Sequence, residues 1–513
     1  MRRRQMVGAA VLAGWAVVIG MHVQREYFKT ADLLLEEGAR TLAPGRYWYS
    51  VQMNGAAIGI GSSSLDTVQG GFAFEDDLTL DVPALGELHR SRARTTITLA
   101  SDLSLRNFTF DLQSQIGTFA VRGEAQADTT IALRMNAGGR EETTSVRADR
   151  GLLLDAAVPL RLAAAGELAV GREFTVRVFD PSAMTARDMA MRVTARDTIV
   201  VPDSAALDPA GRYVATRWDS IPAWKLEQRF GGVVISTWVD DEGQIVRAES
   251  PLGFTIERTY SELARQAWRD GRANAASGEG YGALIQGTAI SSNVDISDVA
   301  ERSALRVRLG NVELEGFDLV GGRQALHGDT LVITREATLP SPGYSLPFRA
   351  GSSADSGAIA EMLQPEPLIQ SNDPAIVAQA RRIIGNTTDP VVASRLLTDW
   401  VYNELDKDIT LSVPSARQVL DAKQGDCNEH TVLYIALARA VGLPARTAVG
   451  LVYLRGHFYY HAWPEVWLGE WVAVDPTLGQ YPADASHLRF ILGGLARQVE
   501  LIRLIGRLQL EVI

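Results

Sequence analysis

From Gly45 to about Thr259 the chain repeats with a period of two. Phe72, Phe74, Leu78 and Leu80 fall at even positions, with Glu75, Asp77 and Thr79 between them. Successive side chains of a strand point to opposite faces, so this pattern makes one apolar face and one wet face. The same texture recurs at Thr95–Leu99, Phe108–Leu112, Phe119–Val121, Ile131–Met135 and Phe174–Phe179. Gly45–Met53, then Asn54-Gly55, then Ala56–Ile60 predicts a hairpin, because Asn-Gly suits a type I′ turn. Trp238–Val246 predicts a second strand pair, turning at Asp241–Gly243. Many strands with few helical patterns narrow this region to a curved sheet, a sandwich or a half-barrel.

Beyond it the texture changes. Tyr260–Asn274 predicts a helix, and Gly271–Gly282 a linker rich in Gly, Ala and Ser. A smaller β-rich segment over 283–340 follows, with strands at Leu305–Leu309, Val312–Leu319 and Thr330–Thr334. Pro340–Asp373 has the composition of a second linker. Asp373-Pro374 and Asp389-Pro390 each place a capping residue before Pro at the first helical position, predicting helices over Pro374–Ile384 and Pro390–Leu405. The resulting fold class is multidomain α+β: a β-rich domain over 45–270, the smaller segment, and a C-terminal α+β domain over 373–513. The 513 residues are 46% hydrophobic and 22% charged, which is globular rather than disordered composition. A net charge of −11 argues against nucleic acid as a partner.

The N-terminal segment, 1–28, points to a membrane. Arg2, Arg3 and Arg4 precede an uncharged apolar stretch, Met6–Val23, which as a helix would span about 27 Å, close to the bilayer core. Arginines on that side favour a cytoplasmic N-terminus, although Arg25 and Lys29 weaken the contrast. A cleaved signal peptide is the rival reading. Its apolar part is usually shorter and ends in a small-x-small site, which Gly20-Met21-His22-Val23 lacks. The expectation is a single-pass anchor with the bulk of the chain facing the periplasm or exterior.

The chemistry is concentrated near the C-terminus. The chain has 1 cysteine, Cys427, so no internal disulfide forms, and His430, His457, His461 and His487 all lie downstream of it. In Gly425–Gly442 the residues Val432, Leu433, Ile435, Ala436, Leu437 and Ala440 make a mostly buried helix that begins at Cys427. A helix N-terminus favours a thiolate, so the Cys427 thiol is expected to be more acidic than a model thiol, whose pKa is about 8.5. Two strand-like pieces, Tyr459–Trp467 and Glu470–Thr477, turn at Leu468-Gly469 and bring His461 and Asp475 side by side. A histidine there takes the cysteine proton, and an aspartate fixes the imidazole tautomer. Glu429 and His430 fall in the first helical turn and His457 in a loop. Gln418 and Gln424 are open candidates for a side-chain oxyanion donor. Trp463, Trp467 and Trp471 either line a groove or form hairpin core. With one Cys, and with carboxylates not grouped with His along the chain, no metal cluster and no cofactor is expected.

Gly425-Asp-Cys427 at a helix start, His461-Ala-Trp463 on a strand and Val474-Asp-Pro-Thr477 occur in the order of a known family, as does Gly442-Leu-Pro-Ala-Arg446 before the strand Thr447–Tyr453. Over roughly Asp389–Pro482 the chain resembles the transglutaminase-like cysteine-enzyme superfamily, which shares the papain-type catalytic arrangement. The resemblance implies Cys427 as nucleophile, His461 as base and Asp475 as orienter, acting on a peptide or carboxamide bond of a protein or peptide substrate. It implies a peptidase or amidase, or an amine-transferring cross-linker. Hydrolysis is preferred because water needs no second binding site. A different function is also open: an envelope binding or scaffold protein whose β-rich half holds a ligand and whose C-terminal domain is structural. The tail Leu488–Ile513 predicts a strand, the Gly493-Gly494 turn, a helix with Leu495, Val499, Ile502 and Ile505 on one face, and a final strand.

Overall fold

The Asn54-Gly55 turn forms as the sequence predicts. Both residues have positive φ, 48° and 83°, and they join the strands Gly45–Met53 and Ala56–Val68. Those strands start a sheet of 15 antiparallel-dominated strands, in a computed structural model that describes residues 31–513 apart from 85–86, 116, 127–129, 149–151, 183, 231–232, 252, 277–288, 352–353, 409–412, 414, 495–496, 498–499, 502–503 and 505–506. The N-terminal stretch Met6–Val23 therefore lies outside the described residues. Among those described, no helix is long and apolar enough to cross a membrane.

The sheet is a half-barrel. Its strand order runs outward in both directions from the pairing of Gly45–Met53 with Phe254–Thr259. Burial alternates strictly along Thr130–Ala137, as a half-wet strand requires. The apolar face curls over the helices Ala31–Ala39 and Val158–Ala164. Leu35, Phe74, Ile97, Phe108, Val121, Leu160, Val193 and Leu226 share one buried core. The helix Ser261–Ala276 closes this half. It extends through the first half of the expected Gly271–Gly282 linker, and the rest of that stretch lies outside the described residues.

The segment over 283–340 does not stand apart. Strand Ala304–Gly310 pairs with Gln509–Val512, Val307 lying opposite Val512, and Ile290 pairs with Phe458 of the histidine strand. Leu305, Val307, Leu331 and Ile333 share a core with Val449, Leu451, Phe458 and Leu488. Val312–Leu319 is not a strand. Near its end, Phe490 accepts from Asp318 N–H at 2.7 Å, and the Arg489 guanidinium donates to the Asp318 carbonyl and to those of Val320 and Gly321 just beyond.

Nor is Pro340–Asp373 a linker. It holds a helix, Ala354–Glu361, and Leu346 and Ile369 are buried in the C-terminal core, while Tyr344 donates to the Trp467 carbonyl at 2.6 Å. Helices Pro374–Ile384 and Pro390–Glu404 start at the expected Asp-Pro caps, with Asp373 and Asp389 accepting the first N–H groups. In the tail, the strands Leu488–Leu492 and Gln509–Val512 form, but Leu495, Val499, Ile502 and Ile505 lie outside the described residues. The two halves touch through Gln418 and Asp408. Gln418 donates to the Thr118 carbonyl at 2.7 Å, and His89 Nε2 meets Asp408 at 3.4 Å.

Candidate active site

The cysteine helix, Cys427–Ala440, is set by its cap. Asp426 accepts from Asn428 N–H at 2.7 Å, and Glu429 reaches back to accept from Asp426 N–H at 2.9 Å, completing a capping box. Gly425, at φ 155°, leaves room for this return, since a Cβ there would lie 2.3 Å from that of Glu429. Behind the cap Leu433, Tyr434, Ile435, Ala436, Leu437 and Ala438 are fully buried. Each large apolar side chain among them contributes about 1.5–3 kcal/mol, so packing anchors the helix that presents Cys427.

The histidine is carried by strand His457–Trp467, where His461 lies opposite Gly450 of Ala445–Leu454. Farther along this strand Glu465 is clamped between Arg446 at 2.6 Å and a buried Arg489 at 2.9 Å. The short strand Trp471–Ala473 returns beside it and delivers Asp475. Asp475 is fully buried. Its Oδ1 accepts from Thr477 and Leu478 N–H at 2.8 and 3.0 Å, and its Oδ2 meets His461 Nε2 at 2.7 Å. Burial alone would raise this carboxyl, but His461 and His487 hold it well below the usual carboxylate range. Trp463 stacks on the His461 ring at 6.0 Å and is itself buried, so it is hairpin core rather than groove. Trp467 and Trp471 pack on each other edge-on at 5.4 Å.

Cys427 is partly exposed and packs against the core that holds Phe458 and Leu488. The backbone N–H of Ala462, the residue following His461, is the one group here that favours the thiolate. The expected acidic thiol is not what this environment makes. Burial of the sulfur, then the carboxylates of Asp426, Glu429 and Asp475, push Cys427 well above the ordinary thiol range, and the Ala462 N–H only partly offsets them. The sequence placed Cys427 at a favourable dipole end, but the same turn carries two acids. These surroundings favour the thiol over the thiolate. Among the described residues nothing hydrogen-bonds to His461 Nδ1, the nitrogen opposite the one held by Asp475.

His487, not singled out from the sequence, is part of the site. Its Nε2 meets Asp475 Oδ2 at 2.9 Å and its Nδ1 meets Asp484 Oδ1 at 3.2 Å. Asp484-Ala-Ser-His487 was the available signal, but only the return of strand Leu488–Leu492 alongside Ala445–Leu454 brings it to Asp475. The expectation that no carboxylate groups with histidine is thus corrected: donor atoms of His461, Asp475 and His487 lie within 4.8 Å of one another. These three could hold a metal ion. As they stand, both ring nitrogens aim at one carboxylate oxygen, which is hydrogen bonding rather than a set of lone pairs converging on a cation.

The other candidates have different fates. Gln418 is committed to the Thr118 carbonyl across the interface. Gln424 pairs through its backbone with Asp406 just before the cysteine turn. His430 is fully buried, with Nδ1 at 2.7 Å from the Asp426 carbonyl, and burial lowers its pKa. His457 opens a strand rather than lying in a loop.

A model of the transglutaminase-like superfamily matches residues 377–476, so the C-terminal half carries a domain of that superfamily. This span includes Cys427, His461 and Asp475. No curated protein matches the chain. Among solved structures, a proposed cysteine protease from Cytophaga hutchinsonii is 18% identical, covering 40% of this chain and 80% of its own, with a TM-score of 0.27. A beta-barrel-like protein of a domain of unknown function from Brucella abortus is 13% identical, covering 42% of this chain and 95% of its own, with a TM-score of 0.32. Likenesses this loose fix neither fold nor function.

Proposed function

We propose that this protein is a cysteine enzyme that cleaves peptide or carboxamide bonds through Cys427, His461 and Asp475. The observation that carries the reading is the buried 2.7 Å contact of His461 with Asp475, made on the strand whose next residue, Ala462, has its backbone N–H among the groups acting on the Cys427 thiol. Asp475 accepts the Nε2 proton of His461, leaving Nδ1 with a lone pair. That nitrogen takes the thiol proton as the sulfur attacks the substrate carbonyl. The Cys427 N–H, first in its helix and without an intrahelical acceptor, supports the oxyanion. The tetrahedral species expels the amine, which receives the proton from His461, and leaves a thioester on Cys427. Water, deprotonated by His461, then releases the acid. Because its surroundings favour the thiol over the thiolate, the reading is general-base activation rather than a standing ion pair.

Protein or peptide is the substrate class this chemistry fits, and hydrolysis is preferred to amine transfer. The Arg2–Arg4 run and the Met6–Val23 stretch support a single-pass, outward-facing anchor. Both acceptors are tested together by incubating full-length protein with a peptide-amide library and a labelled primary amine. New termini or ammonia without label support hydrolysis, incorporated label moves the assignment to cross-linking, and neither product from the wild type defeats the proposal. A second reading has one observation behind it. A cavity of about 610 Å³ lies between the sheet and the Ser261–Ala276 helix, lined by Gln52, Val200, Arg212, Trp218, Arg247 and Gln266. If Cys427→Ala retains the biological activity, ligand binding by the β-rich half becomes the better assignment.

A further inference from the structure

We infer that His487 is a buried imidazolium that shares Asp475 with His461 and so acts as a positioning residue that sets the basicity of His461. This rests on the catalytic reading above only for its consequence, since the charge state of His487 follows from its own contacts. A neutral imidazole has one N–H, yet both nitrogens of His487 face carboxylate oxygens, Asp475 at 2.9 Å and Asp484 at 3.2 Å. Neither carboxylate is free to supply the missing proton. Asp484 accepts from Ser486 N–H and Oγ–H at 2.8 and 2.6 Å and from the Gln480 amide at 2.8 Å. Asp475 accepts two backbone N–H groups and a second imidazole. Acceptors satisfied in this way are ionised, and the ring between them carries both protons. Although burial lowers the His487 pKa, the two carboxylates more than reverse this and raise it.

The remaining neighbours do not change the charge. The Trp463 ring meets His487 edge-on at 5.0 Å, and the His461 ring is 5.8 Å away. The Arg323 guanidinium, which donates to the Ala483 carbonyl, adds a cation on the Asp484 side. Asp475 thus meets His461 with its charge partly neutralised by a fixed cation. On an unshared buried carboxylate His461 would hold its proton more tightly and return it to the leaving amine less readily. The arrangement extends the set to Asp484, His487, Asp475, His461 and Cys427 in sequence of contact.

The test uses full-length protein with isotope-labelled histidine, followed by magnetic resonance. In the wild type at neutral pH the His487 ring should carry protons on both nitrogens; a single ring proton overturns the inference. In a Cys427→Ala background, where His461 titrates without the thiol, His487→Gln keeps a donor to Asp475 and removes the charge. His461 should then titrate about half to one pH unit higher; an unchanged or lower value overturns the tuning role. If His487→Gln does not fold, Asp484→Asn gives the same decision: His487 should lose its Nδ1 proton at lower pH than in the wild type, and an unmoved titration counts against the bridge. Failure of the catalytic reading would look different. Cys427→Ala would then retain hydrolysis while the two ring protons of His487 were still seen.

Discussion

At the residue scale the thiol is held back by its own cap. Glu429 is buried, accepts from Asp426 N–H, and is one of the acids that raise Cys427. Glu429→Gln keeps an acceptor oxygen for the cap but removes the charge. Alkylation of Cys427 should accelerate at neutral pH and its pH midpoint should fall, as followed by iodoacetamide kinetics with the labelled site mapped by mass spectrometry. An unmoved midpoint would assign the raised thiol to burial and to Asp426 and Asp475 rather than to Glu429. Asp475→Asn should cost about ten- to a thousand-fold in acyl transfer, because Asn can hold the wrong tautomer of His461. Cys427, His461 and Asp475 were legible because each lies in a short block with its own chemical signature. His487 was not: its role depends on two aspartates and a returning strand, and no local pattern announces them. The acidity of Cys427 was misjudged for a related reason, since the helix dipole is visible in sequence whereas the depth of the sulfur is not.

At the element scale the cysteine helix depends on packing first and capping second. Leu437 has no solvent exposure, so Leu437→Ala should lower stability by about 2–5 kcal/mol through lost burial and the cavity left behind. Asp426→Ala removes only the cap and should cost about 0.5–2 kcal/mol. Chemical denaturation of both variants checks the order, and a larger loss for the cap would contradict it. Elements whose signals are local were readable in advance. Asn54-Gly55, Asp373-Pro374 and Asp389-Pro390 each contain the turn or cap that defines them. Val312–Leu319 has the composition of a strand but lies where Phe490 and Arg489 take the Asp318 N–H and carbonyl. Pro340–Asp373 has the composition of a linker, yet Leu346 and Ile369 bind it to the core. In both cases a distant partner decided the conformation.

At the scale of the whole molecule, the buried charges predict how stability follows pH. His487 is raised, so its contribution is complete below the free histidine value of about 6.5 and is lost as pH rises through the folded value. Burial notwithstanding, Asp475 and Asp484 are lowered by their imidazole partners. Their contribution is present above the free carboxyl value of about 4 and is lost only in stronger acid. Melting temperature should therefore decline on the alkaline side, and His487→Gln should flatten that decline; an identical alkaline slope in the variant would contradict the linkage. The proposed topology has its own check. A reporter fused after Ile513 should be active only outside the cytoplasm, and recovery of the full-length chain from the cytosol would contradict it. The β-rich character of residues 45–259 was readable because its period of two persists along most strands, whereas the choice of half-barrel over sandwich was not. The interface at Gln418 and Asp408 was not, since it joins residues with no shared pattern.

The central claim is that Cys427 and His461 work as one nucleophile and base. Acylation by p-nitrophenyl acetate tests it most directly, because the activated ester needs no knowledge of the natural substrate. The wild type should give a burst of about one nitrophenolate per chain, with the acetyl group mapped to Cys427. Cys427→Ala should abolish the burst, and His461→Ala should slow it severely without lowering the melting temperature enough to explain the loss. A burst that survives Cys427→Ala, or one that His461→Ala leaves unchanged, would contradict the account.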